Sequence, residues 1–238
     1  ARYVVVGAPL DVTTSFRPGT RFGPERVRRF ARSFEDYDVE ADARFSDAGV
    51  HDAGDVRAWP DAEAYVDHLR AELSALVDDD LVALLLGGEH TVTVAGVRAV
   101  DPKTLVVCDA HLDLRDSYDG ERYSHACATR RALETVDHAV VLGARSGAEE
   151  AWERAAADDV TVVGPGEVRG WLAETEPADL GRTYLSVDVD AADPSVAPGT
   201  GTLEPFGLDP AEMHDAVRAV APHAAGFDVV EVNDRDDG

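Results

Sequence analysis

The sequence predicts an α/β fold on a doubly wound, mostly parallel sheet. Three observations carry this reading. Short β-rich apolar runs alternate with amphipathic stretches along the chain. Several runs are apolar at successive positions, as strands covered on both faces of a parallel sheet are. No linker rich in Pro, Gly and Ser divides the 238 residues, and no repeat is present, so residues 1–238 read as a single domain.

The elements follow in order. Tyr3–Gly7 is the first strand, and Pro24–Phe34 a helix with proline in its first turn. Asp61–Val77 carries Ala64, Leu69, Leu73, Leu76 and Val77 at near-helical spacing, which predicts an amphipathic helix. Further strands are expected at Leu81–Leu86, Leu105–Cys108, Ala139–Leu142, Val160–Val163, Tyr184–Val189 and Phe227–Val232. Helices are expected at Ser124–Val136, Ala148–Ala157, Gly166–Ala173 and Pro210–Val220. Three loops stand out: Thr13–Pro24, Arg115–Ser124 and Ala191–Gly207. Ligands of open α/β sheets sit beyond the carboxyl ends of the strands. The second and third loops follow strands directly, so the site is expected there.

Charge narrows the partners. Asp and Glu total 47 against 22 Lys and Arg, a formal net charge of −25. The acids are 30 Asp and 17 Glu; the bases are 21 Arg and a single lysine, Lys103. Such a surface repels phosphate backbones and anionic membranes, so no nucleic-acid or membrane partner is expected. Hydrophobic residues make up 45% of the chain, too many for an acidic disordered polymer. Loss of all lysines but one exceeds what solubility needs, and the expectation is a protein adapted to concentrated salt. Cys108 and Cys127 form neither a disulfide framework nor a CxxC knuckle. No apolar run is long enough to span a membrane and no signal-peptide pattern is present, so a cytoplasmic protein is expected.

The chemistry gathers after three apolar runs. Asp109-Ala110-His111-Leu112-Asp113 follows one of them, and alternation in an extended chain points Asp109, His111 and Asp113 the same way. Asp188-Val189-Asp190 follows a second run with the same spacing. A third ends in Gly87-Gly88-Glu89-His90, where paired glycines permit a tight turn and close backbone approach. Convergence of these ends would collect four Asp and two His. Clustered carboxylates repel unless cations neutralise them, and two divalent ions balance four of them. Ligands that are mostly oxygen with some imidazole suit Mn²⁺, and a metal pair lowers the pKa of a bridging water. A lone DxD in so acidic a chain is ordinarily a solvated surface feature. Three such segments at strand ends are not.

These segments resemble the ureohydrolases, the family of arginase and agmatinase. GGEH (87–90) is similar to the family's GGDH, with Glu89 replacing the usual Asp; DAHLD (109–113) matches DAHxD. SVDVDAADPSVAPGTG (186–201) resembles SxDxDxxDPxxxPGxG, and PLDVTTSFRPGTRFGPERVR (9–28) and YSHA (123–126) look like agmatinase-type members. The resemblance covers nearly the whole chain. It implies a three-layer α/β/α arginase-like fold with a sheet of about eight strands. It implies two Mn²⁺, one held by His90, Asp109, Asp113 and Asp188, the other by Asp109, His111, Asp188 and Asp190. It implies a proton-shuttling role for His125 and a guanidinium-binding role for Glu231.

The implied reaction is attack of a bridging hydroxide on a guanidino carbon, giving urea and an amine. Glu231 can bind guanidinium N–H groups as a fork, and Asp113 can accept a hydrogen bond from the tetrahedral species. His125 can protonate the leaving amine. The stretch 114–123 looks like agmatinase and not arginase, which favours agmatine going to putrescine. Aminopropylagmatine is the close alternative, arginine and guanidinobutyrate less so. A non-catalytic member of the fold is the reading from another class. A deacetylase-type mononuclear zinc site is disfavoured by the full set of four Asp and two His. The remaining histidines read as ordinary surface or helix residues, with His51 the one to check.

Three departures from the family pattern matter. Phe206 interrupts what is often EPGG, here Glu204-Pro205-Phe206-Gly207, so that loop is expected to shape the pocket differently. No proline follows Asn233. Relatives continue into a last helix, which the resemblance implies is absent from these 238 residues; apolar surface would then be left uncovered. Family members are commonly trimers or hexamers, so a homo-oligomer acting on a small guanidino substrate is expected.

Overall fold

The computed structural model describes residues 2–233. Eight strands form one sheet: β1 (Tyr3–Ala8), β4 (Val50–Asp55), β5 (Val82–Gly87), β6 (Thr104–Cys108), β7 (His138–Leu142), β8 (Val160–Val163), β9 (Thr183–Asp188) and β10 (Ala224–Val230). Their order is β4-β1-β5-β10-β9-β6-β7-β8, with every neighbouring pair parallel. A two-stranded ribbon, β2 (Tyr37–Asp38) and β3 (Ala43–Arg44), stands apart. Among the described residues seven α-helices accompany them: α1 (Gly23–Ala31), α2 (Ala62–Asp78), α3 (Thr93–Val100), α4 (Ala128–Ala132), α5 (Glu149–Ala155), α6 (Val168–Glu174) and α7 (Pro210–Val220).

The doubly wound prediction holds, and side-chain alternation explains the layers. On one face Leu105, Val107, Ala139 and Val141 pack with Val97, Ala132 and Ala151 of α3, α4 and α5. On the other, Val106, Cys108, Val140, Leu142 and Leu185 meet Val168 of α6 and Ala216 and Val220 of α7. Helix α2 lays Tyr65, Val66, Leu69 and Leu73 against Val4, Val6, Ala83 and Leu85. Strands β6, β7 and β9 therefore bury both sets of side chains, which is why their runs lack polar alternation. Strands β1, β5 and β10 are less fully covered. Tyr3, Val82, Leu84 and Phe227 are half-buried around an apolar groove of about 820 Å³ beside Val217. Apolar surface is thus open on this face among the described residues. No helix among the described residues is long and apolar enough to cross a membrane.

Strand β4 and helix α3 were not legible, nor was the short β2–β3 ribbon. Strand β4 reads Val-His-Asp-Ala-Gly-Asp and is exposed along its length, because an edge strand has one partner and little apolar cover. His51, flagged for checking, lies there, exposed and away from the site residues. Helix α3 holds three Val, one Thr and one Gly, poor helix formers, yet six of its eight residues are buried. Packing between α2 and the sheet overrides propensity there. The helix expected over 124–136 is shorter: a 3₁₀ turn, His125–Cys127, leads into α4.

Candidate metal centre and active site

The sheet order creates a switch point. From β5 the chain jumps over the places of β10 and β9 to reach β6, and it fills that gap last. The carboxyl ends of β5, β10, β9 and β6 thus lie side by side, where an open sheet offers a crevice.

The exit of β5 is fixed by close backbone approach, as the paired glycines implied. Gly88 N donates to Ala8 O at 2.8 Å and Glu89 N to Leu10 O at 2.8 Å. A Cβ on Gly88 would collide with the Leu10 carbonyl. Glu231 N donates to Gly88 O at 2.9 Å, and Glu231 Oε1 accepts from His90 N at 2.8 Å. The ends of β5 and β10 are thereby tied together.

All six candidate ligands meet in this crevice. His90 Nδ1 lies 2.9 Å from Asp113 Oδ2, 3.1 Å from Asp109 Oδ2 and 3.6 Å from Asp188 Oδ2. His111 Nδ1 lies 3.0 Å from Asp190 Oδ2 and 3.6 Å from Asp109 Oδ1. Two groups have ligand atoms mutually within 4.8 Å: His90, Asp109 and Asp113, and Asp109, His111 and Asp190. Asp109 belongs to both. Asp188 stands beside the first group and accepts from Asp190 N through Oδ1 at 2.9 Å. Asp113 does not arrive by extended alternation, since β6 ends at Cys108 and Asp113 turns back with a left-handed φ of 49°. Glu231 is left-handed too, at φ 61°. Such backbone conformations are unfavourable for non-glycine residues and concentrate at functional sites.

Electrostatics shows a cluster short of positive charge. Burial alone would lower the pKa of His111, but Asp109 and Asp190 override it and push it up to about 12. Burial acts on His90 likewise and is overridden by Asp109 and Asp113. Asp109 is buried, yet the two imidazoles hold its carboxyl below the usual range. Asp188, Asp190 and Glu231 are all pushed upward, first by burial and then by neighbouring carboxylates. Asp109 Oδ2 is buried without an aligned hydrogen bond. Two imidazoles do not neutralise five clustered acids, four of them buried. Oxygen-rich donors with too little counter-charge and a free lone pair fit divalent cations.

The remaining candidates frame a cavity of about 340 Å³ lined by Asp113, Asp188, Asp190, Glu231, His111 and His125, among others. His125 Nε2 lies 3.2 Å from Ser15 Oγ, and its ring meets Tyr118 edge-on at 5.8 Å. Leu112, Leu114, Ala126, Ala148 and Ala151 supply an apolar wall. Cys127 is buried, and burial pushes its thiol up to about 11.

The whole chain, residues 1–238, matches the sequence profile of the arginase family. The chain belongs to the arginase family. It is 35% identical over 247 residues to an agmatinase of Pyrococcus horikoshii, covering 98% of this chain and 84% of that protein. It is 36% identical over 244 residues to the N(1)-aminopropylagmatine ureohydrolase of Thermococcus kodakarensis, covering 98% and 83%. Among solved structures, the agmatine ureohydrolase of Thermoplasma volcanium superposes with a TM-score of 0.92 at 35% identity, covering 98% of this chain and 82% of that one.

Sequence reasoning missed several residues of this arginase-family site. Glu89 is a buried anchor: its carboxylate accepts from Val12 N, Thr13 N, Thr13 Oγ1 and Thr91 Oγ1 at 2.7–2.8 Å. Thr13 Oγ1 in turn accepts from His125 N at 3.1 Å. The first loop, which was not expected at the site, therefore lines it with Thr14 and Ser15. Its position right after β1 was the available signal. Ser186 Oγ lies 3.3 Å from His90 Nε2 and donates to Asp228 Oδ1 at 2.6 Å. Phe206 departs from expectation in the other direction: it is 84% exposed and does not line the cavity.

Proposed function

We propose that this arginase-family ureohydrolase converts agmatine to putrescine and urea, using two manganese ions. One observation carries the reading: the buried carboxylate of Glu231 shares a cavity with both ligand groups. A pinned acid beside a cation-seeking cluster suits a substrate that is itself a planar cation.

His90, Asp109, Asp113 and Asp188 would hold one ion; Asp109, His111, Asp188 and Asp190 would hold the other. When bound, such a pair lowers the pKa of water enough to supply a nucleophile near neutral pH. Glu231 orients the guanidinium through its second oxygen, the first being held by His90 N. The positive charge of ions and substrate favours its ionised form. Asp113 accepts a hydrogen bond from the hydrated guanidino group. His125 lines the same cavity and delivers a proton to the departing amine. The apolar wall suits the methylene chain of the substrate.

Agmatine leads because the relatives named above include agmatinases and because the chain lacks the arginase-like stretch after Asp113. Aminopropylagmatine is the rival, supported by the Thermococcus relative. The complete ligand set speaks against a non-catalytic member. We take residues 1–238 as one domain of a homo-oligomer, trimer or hexamer, working in concentrated salt.

The test is urea release with Mn²⁺ in molar KCl from agmatine, aminopropylagmatine, arginine and guanidinobutyrate. Agmatine is expected to give the highest kcat/KM. No urea from any guanidine would sink the ureohydrolase reading; preference for arginine would sink only the substrate. Light scattering in the same buffer reads the oligomer.

A further inference from the structure

We propose that Arg145 is a positioning residue that builds the His111 half of the metal centre. The inference rests on the two-metal reading above and adds a residue to it. Arg145 follows β7 and has no ligand atom of its own in the cluster.

Its guanidinium spends every donor on carbonyl oxygens. Nε donates to Pro205 O at 3.1 Å. Nη1 donates to Gly143 O at 2.9 Å and Ala191 O at 3.1 Å. Nη2 donates to Asp190 O at 2.9 Å and Glu204 O at 2.8 Å, with Ala192 O further off at 3.4 Å. Apart from Gly143 O, these carbonyls belong to two segments outside the eight-stranded sheet: 190–192, in and just after a 3₁₀ turn, and 204–205. The backbone of the same residue ties down a third. Arg145 N and Ser146 N both donate to Ala110 O, at 2.9 and 3.0 Å, next to His111.

The three segments carry what surrounds the His111 ring. Asp190 Oδ2 faces Nδ1 at 3.0 Å, and Glu204 Oε1 lies 3.6 Å from Nε2 on the opposite edge. The second distance is too long for a hydrogen bond as it stands, but the carboxylate is on the side where a metal-ligating imidazole usually has its supporting acceptor. A second, independent feature shows that the chain is shaped around the guanidinium. A Cβ on Gly207 would come within 2.6 Å of Arg145 Nη2 and of the 192–193 backbone. Only a planar group with five donors can join two loops in this way. Lysine offers three donors from one point.

The experiment is Mn²⁺ titration of metal-stripped protein by calorimetry, with electron paramagnetic resonance to separate coupled pairs from isolated ions. Arg145→Lys and Arg145→Met should keep their circular dichroism and bind the first ion as the native protein does. The second ion should bind about 10–100-fold more weakly, the range for loss of a supporting shell. The coupled-pair signal should give way to that of isolated Mn²⁺. Arg28→Lys serves as the control, since Arg28 also bonds several groups (Asp52, Asp55 and Gly54 O) but at the sheet edge. It should leave both ions unaffected.

Wild-type affinity for both ions in Arg145→Lys overturns the proposal. So does joint loss of both ions, or loss of the second ion in Arg28→Lys as well, since either means general loosening. If Arg145→Met does not fold, Arg145→Lys decides. Native protein that binds fewer than two ions refutes the two-metal reading itself, a result distinct from failure of the positioning role.

Discussion

The two halves of the metal centre are built by different means. The His90 half grows from the sheet. His90 is 1% exposed, its backbone N–H holds Glu231, and its Nε2 faces Ser186, which bonds Asp228. Ser186 and Asp228 are paired directly across the β9–β10 ladder, so their meeting is fixed by strand register. The His111 half grows from loops. The His111 side chain is 22% exposed, and its neighbours Asp190 and Glu204 sit on segments joined through Arg145. One half inherits its precision from strand register; the other is held by a few local bonds and, where its loops meet, by the Arg145 guanidinium. The two should therefore respond separately to substitution, except where a residue is common to both.

Asp109 and Asp188 are assigned to both ions; Asp109 is the one of the two that lies against both imidazoles, and its loss should abolish the distinction. Asp109→Ala removes a member of both ligand groups and leaves His90 and His111 without a shared acid. Both ions should be lost, and the rate should fall by about 10³-fold or more, since a catalytic metal contributes several kcal/mol and 1.36 kcal/mol is tenfold. Metal analysis after desalting reads the first effect. Retention of either ion would mean that the halves share less than the geometry implies.

His125 should leave the comparison untouched while stopping turnover. His125→Ala should lower kcat by about 10²–10⁴-fold, the usual range for a general acid, with both ions retained. Metal loss in this variant would remove His125 from its proton-transfer role and place it among the ligands.

The contrast between the halves also governs what was legible in the sequence. Apolar runs, parallel sheet and the ligand spacings at 109–113 and 188–190 were readable because each is a local pattern. His90 was readable through its paired glycines, whose close approach to the 8–10 backbone is a local demand. The supporting residues were not. Ser186 and Asp228 are 42 residues apart, and Glu89 and Thr13 are 76 apart. Arg145 reaches 59 residues to Glu204 O. Nothing in the residue types announces such pairings, which exist only once the sheet order is known. The left-handed turn at Asp113 was hidden for a different reason: aspartate tolerates that conformation without any glycine to mark it.

Ser186→Ala should strike the sheet-built half alone. It removes the hydroxyl behind His90 and one partner of the buried Asp228 carboxyl. Burial pushes that carboxyl's pKa upward and the serine bond opposes the shift, so Asp228 should be more readily protonated in the variant. One ion should bind about 10–100-fold more weakly. Stability should fall by about 1–3 kcal/mol, the cost of leaving a buried polar group unpaired. Chemical denaturation and Mn²⁺ titration measure the two effects. If the ion that weakens is the one also sensitive to Arg145, the halves are coupled and the proposed division is wrong.

Phe206 gives the smallest effect and tests the loop-built half from outside. It holds a left-handed φ of 64° while its side chain is 84% exposed, so it bears backbone strain without packing in return. The family pattern often has glycine there, the residue that adopts this conformation freely. Left-handed backbone costs a non-glycine residue about 1–2 kcal/mol, and glycine gives back about 0.5–1 kcal/mol through unfolded-state freedom. Phe206→Gly should therefore stabilise by about 0.5–1 kcal/mol, or raise Tm by about 1–4 °C for a chain of this size. Turnover should not change, because the ring does not line the cavity. A fall in Tm would carry a different message. It would mean that Phe206 packs against something in the working protein, a partner subunit first of all, and that the 204–207 turn beside His111 is held from outside as well as by Arg145.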